Sequence, residues 1–173
     1  VREAQRLYSV GRFVELLQRS DVRRGGVGGP LPPEDRLLVA QALMHSDATS
    51  AEVTQLIAGV NASTAAPALR ARCEIALGIL AKKAARLTTA RTHFQHAIRL
   101  AREAGDVVQH GWAQTQLFRL IAEGQPKEVA AACLAETRRV VNGCGDPHVV
   151  AYLHDCVALL EGQKGGLDEA RRH

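Results

Sequence analysis

A step of 40 residues recurs along the second half of this 173-residue chain, and no other feature restricts its fold as strongly. In register, Leu77, Leu117 and Val157 form one apolar column, and Leu80, Leu120 and Leu160 form a second three residues later. Ala90, Ala130 and Ala170 form a third column without exception. Phe94 and Leu134 follow at +4, then Ala97 and Thr137. Ala85 and Gly165 share a column where Gln125 stands in the middle copy, and Leu87 and Leu167 share another, with Lys127 as its exception. Each copy reads as two helices around a short turn at that first column. A small residue followed at +4 by a bulky one lies on one helical face. Paired across a close helix crossing, the small side chain admits the neighbouring backbone and the bulky one fills the gap beside it.

Composition agrees with helices. Aromatics are 3% of the chain, and the 46% apolar content is mostly Ala, Leu and Val. Strands favour aromatic and β-branched residues, whereas Ala and Leu lead the helix scale. Boundary signals place the helices near 34–46, 50–60, 67–84, 88–104, 107–123, 126–142, 147–163 and from 167 onward, preceded by two shorter ones near 2–9 and 12–19. Gly105 suits a left-handed C-cap. Asp146-Pro147 supplies an N-cap and a first-turn proline, and Thr49-Ser50-Ala51-Glu52 has the form of a capping box. Residues 1–66 read as degenerate helical pairs interrupted by a Gly/Pro-rich loop at 23–33, and 67–173 as the regular repeats, all in one continuous array. The pattern breaks off inside the second helix of a pair, so a longer parent polypeptide is expected, and the exposed apolar face of that cut pair is a surface for homodimer formation.

Leu77-Gly78, Ala85, Leu87, Ala90, Phe94 and Ala97 resemble the tetratricopeptide signature, and Tyr8, Gly11 and Phe13 resemble its Gly-x-aromatic turn. Phe118 and Gln125 depart from it, standing where that family prefers glycine. The family's period is about 34 residues, the step from Leu43 to Leu77, while a step of 40 lies at the lower edge of HEAT-like repeats. Leu100 to Asp106 is similar to inter-repeat joints in arrays attached to bacterial signalling proteins and transcriptional activators. The resemblance implies an all-α, right-handed superhelix of about four to five helix pairs. It also implies that protein or peptide segments, or another domain of the same polypeptide, bind the concave groove lined by the first helices. Carried onto this chain, the groove columns fall at Arg72, Lys82, Lys83, Trp112, Thr115, Arg119, Glu123, Tyr152 and Asp155. Cations with one Trp and one Tyr suit an acidic or C-terminal peptide. Solvated charges, with both rings packed between repeats, are the plainer account of the same residues.

Little points to catalysis or a cofactor. No GxSxG, Walker loop or HExxH occurs, and the glycines at 25–29 lack both a preceding strand and a following helix N-terminus. His93 and His96 share one helix three residues apart without a third ligand, and Cys133, Cys144, His148, His154 and Cys156, though the right types for zinc, match no zinc spacing. The expectation is a non-catalytic module with no metal and no cofactor. Asp168-Glu169 are assigned to a helix start, where acids complement the dipole.

The net charge of +4 is mild, and basic residues adjoin only as pairs (Arg23-Arg24, Lys82-Lys83, Arg138-Arg139), which disfavours nucleic acid. A small-ligand or nucleic-acid effector site in a transcriptional regulator is the alternative, with positive charge near Arg70, Arg72, Lys82 and Lys83. No apolar run approaches the roughly 20 residues of a membrane span. The absence of a secretory signal or of paired cysteines favours the cytoplasm.

Overall fold

The computed structural model describes residues 32–44 and 50–170. All regular structure within them is α-helical, in seven elements: α1 Pro33–Leu43, α2 Ser50–Ser63, α3 Pro67–Lys83, α4 Leu87–Ala104, α5 Val107–Gly124, α6 Lys127–Cys144 and α7 Pro147–Ala170. The two helices expected near 2–9 and 12–19, the Tyr8-Gly11-Phe13 turn, Thr49 and most of the Gly/Pro-rich segment lie outside the described residues. That segment's last residue, Pro33, opens α1. Proline is suited to a first turn because the N–H it lacks has no intrahelical partner there.

Local chemistry sets the other boundaries. Asp106 Oδ1 accepts from the Gln109 amide at 3.0 Å, and Asp146 Oδ1 accepts from the amides of His148 and Val149 at 2.9 and 3.0 Å. These bonds satisfy amides that a helix start leaves unpaired. At the end of α4, Gly105 turns left-handed (φ 66°), its N–H donates to the Arg102 carbonyl and that of Asp106 to Ala101. The end of α3 repeats this double bond, with Ala85 N–H to Lys82 and Arg86 N–H to Ala81. Here the left-handed residue is an alanine, at φ 58°. Its Cβ makes that conformation cost about 1–2 kcal/mol, part of which glycine would return as lost chain entropy. Ala85→Gly is therefore expected to stabilise the fold by about 0.5–1 kcal/mol, read as a higher midpoint in urea. An unchanged or lower midpoint would contradict the strain.

One boundary differs from expectation. α7 runs through Gly165 and Gly166 to Ala170, so the third copy has no turn at its Gly165 column, and Asp168-Glu169 lie in a last turn rather than a first. Glycine weakens a helix interior by about 1 kcal/mol but keeps its hydrogen bonds, and no proline follows Pro147 to interrupt the ladder. Ala170 consequently ends a first helix, whereas Ala90 and Ala130 are buried in second helices. The other columns hold for two copies. Leu80 and Leu120 are buried, as are Ala97 and Thr137. Leu87 departs too: at the first position of α4 its side chain projects past its neighbours and is half exposed.

Packing follows chain order. Each helix contacts the next, and α1, α3, α5 and α7 also contact one another in sequence, while the backbones of α2 and α4, and of α4 and α6, stay apart. The core is correspondingly divided. One cluster joins Leu37, Val53, Ile57, Cys73 and Leu80 across α1–α3. Two smaller ones join Ile75, Ala97 and Ala113, and Ala81, Phe94 and Leu120, across α3–α5. Phe118, Val141, Val149 and Leu153 close the series across α5–α7. Within it the 40-residue columns exchange bulk. A Cβ on Gly78 would stand 2.4 Å from the Phe94 ring, so the glycine is the space that ring occupies. One repeat later Phe118 fills the glycine's column and Leu134 the phenylalanine's, within a single cluster.

Candidate functional site

Trp112, Gln116, Arg119 and Glu123 follow one another at i, i+4, i+7 and i+11 on α5, the spacing of a single helical face. Neighbouring helices close on this stripe from both sides. From α3, Lys82 Nζ reaches Glu123 Oε1 at 2.8 Å. Arg119 Nε donates to the same oxygen at 3.0 Å, and Arg119 Nη1 donates to Tyr152 Oη of α7 at 2.9 Å. The Tyr152 hydroxyl donates onward to Gln116 Oε1 at 3.4 Å. Its ring lies 5.2 Å from that of Trp112, tilted by 38°. Five groups from three helices thus form one connected chain, with the Trp–Tyr pair beside it.

The electrostatics follow from partial burial. The bond to Tyr152, opposed by burial and aided by Glu123, raises the Arg119 pKa, so its charge is permanent. Burial works to raise the Glu123 carboxyl, but the hydrogen bonds from Lys82 and Arg119 outweigh it and hold the group below its ordinary range. Burial pushes the Tyr152 hydroxyl up, with Arg119 opposing, which keeps it a neutral phenol able to accept from one side and donate to the other. Two cations and one carboxylate leave this chain net positive, with its cations already oriented.

Five of the nine groove residues expected from the sequence meet here: Lys82, Trp112, Arg119, Glu123 and Tyr152. Thr115 does not. It is fully buried and its hydroxyl donates back to the Gly111 carbonyl at 2.9 Å, on a stretch of α5 where Gln114 and Gln116 are buried as well. Lys83 is exposed and turns toward α1, its Nζ 3.4 Å from the Met44 carbonyl. Arg72 is half-buried on α3 and Asp155 exposed on α7.

A second polar cluster has no precedent in the repeat columns. Glu74, buried on α3, accepts from Asn61 Nδ2 of α2 at 2.9 Å through Oε1, and pairs with His93 Nδ1 of α4 at 2.7 Å through Oε2. The available signal was an acid amid the buried Leu69, Cys73, Ala76, Leu77 and Leu80, a position that needs partners. His93 is committed to this bond, and His96 is exposed.

Among the described residues no three His, Cys, Asp or Glu side chains gather as metal ligands, and no helix is long and apolar enough to cross a membrane. Burial raises the thiol pKa values of Cys133 and Cys156 and pushes that of Cys73 up to about 12, so these cysteines sit as small apolar groups. No family model, curated protein or solved structure matches the chain.

Proposed function

We propose that this chain is a non-catalytic, tetratricopeptide-like binding module, a right-handed solenoid that holds a protein or peptide segment on the layer formed by its first helices. The α5 stripe bridged to α3 and α7 carries this reading. Contacts along α1, α3, α5 and α7, with no close backbone approach between α2, α4 and α6, are what a curved ribbon of hairpins requires, with the odd-numbered helices on its inner side. The partner is an acidic segment with an apolar side chain for the Trp112–Tyr152 pair, since aromatic and Arg residues are the commonest anchors of binding energy. A setting in a larger bacterial-type cytoplasmic regulator of signalling or transcription fits such a module, whether the segment comes from another protein or from the same polypeptide.

Trp112 is the only tryptophan, so its emission reports on this surface alone. Titration with a ten-residue peptide of alternating Glu and Leu is expected to shift that emission. Lys82→Glu combined with Arg119→Glu is expected to weaken binding about ten- to a hundredfold, the value of one or two charge-assisted bonds. Unchanged affinity and salt dependence in a variant that still melts cooperatively would overturn the groove.

A further inference from the structure

The chain's positive charge is concentrated on one hairpin. From Ile75 to Arg102 it has six cations and no Asp or Glu, although the whole protein is only +4. Adjacent pairs in the sequence conceal this concentration because the helix, rather than the order of residues, collects the charges. Arg91, Arg99 and Arg102 lie at i, i+8 and i+11 on α4, with Arg86 just before its first turn, and all four are exposed. Gln95 and Thr88, also exposed, lie between them as hydrogen-bonding groups. The backbones of α2 and α6 make no close approach to that of α4. The α6 side chains Cys133 and Glu136 lie near Arg91 and Arg102, yet all four arginines keep their exposure.

The acids nearby are few and paired. Glu103 binds Arg99 Nη1 at 2.6 Å, and Glu136 of α6 is taken by Arg139 through two bonds of 2.7 and 2.9 Å. Glu74 is buried beneath the hairpin. His110 accepts from Arg102 Nε at 3.2 Å, and its pKa is lowered chiefly by burial and further by the Arg102 charge, with Glu136 opposing.

We propose that the outer face of α4, with the α3–α4 turn, binds the phosphate backbone of double-stranded nucleic acid without reading its sequence. A helix of 18 residues is about 27 Å long, and Arg91 to Arg102 spans roughly 16 Å of it, enough for several phosphates at the charge spacing of a duplex. Protein interfaces have aromatic and apolar centres depleted of charge. This face has neither: its one exposed bulky apolar residue, Leu87, is at the rim. Insertion into a membrane surface also needs an apolar side to bury. Among the described residues this face exposes no aromatic side chain, which removes base stacking and leaves backbone contact.

The test is the anisotropy of a fluorescein-labelled duplex of 20 base pairs, arbitrary in sequence, titrated with the complete 173-residue chain. Three or four phosphate contacts predict that affinity falls roughly 40- to 150-fold between 50 and 200 mM salt. Arg91→Ser with Arg102→Ser is expected to lower the log–log salt slope by about two, with an unchanged melting profile. Arg119→Glu, on the odd-numbered layer, is expected to leave duplex binding within about threefold, which separates this surface from the peptide groove. Absence of binding at 50 mM salt, or a slope unchanged by the double substitution, overturns the proposal. Competition by polyglutamate as effective as that by unlabelled duplex overturns it in favour of an acidic protein surface.

Discussion

Phe94→Ala is expected to lower stability by about 3–5 kcal/mol, the usual cost of emptying a buried aromatic site. Phe94 is fully buried and joins Ala81, Ala90 and Leu120 across three helices, so its loss leaves a void that no single side chain can refill. The sharper form of this prediction concerns its partner. Gly78→Ala places a methyl group 2.4 Å from the ring, which cannot be met without displacing it. Overpacking of this kind costs about 1–3 kcal/mol, against roughly 1 kcal/mol of improved helix propensity. In a Phe94→Leu background the methyl group has room, and the same substitution should become stabilising. Urea unfolding of the four proteins in that cycle measures the coupling. A Gly78→Ala effect of equal sign and size in both backgrounds would show that the two residues do not share the space.

His93→Ala is the second large effect, expected at about 2–3 kcal/mol. The substitution leaves a buried carboxylate held by the Asn61 hydrogen bond and stripped of its bond to His93. Glu74 stands between α2 and α4, so the bond also ties two helices whose backbones stay apart. Most of the loss comes from an uncompensated charge rather than from the contact itself. Adding Glu74→Leu to His93→Ala removes that charge and is expected to recover most of the stability. If the double variant is as unstable as the two single effects summed, the cluster is not the buried pair described.

Much of the helix layout was legible in the sequence because caps act locally. Asp106, Asp146 and Gly105 each set a boundary through bonds within four residues, and those boundaries fall within two residues of expectation. Long-range effects were less legible. Gly165 looked like a turn by analogy with Ala85, yet a glycine stops a helix only when the chain gains elsewhere by leaving it. The α5 stripe could be found from periodicity, whereas Thr115, one residue away, could not be separated from it until the helix was seen to turn it inward. Asn61, Glu74 and His93 are 13 and 19 residues apart, and no local pattern links them.

No two described helices more than two apart in order touch. Contacts among the described helices therefore stay within three consecutive helices, which keeps the entropy of chain closure low and favours rapid folding. Structure can begin at the Gly78–Phe94 hairpin and extend one helix at a time in either direction. Unravelling reverses the route, so amide exchange should be slowest in α3 and α4 and quicken with distance from them.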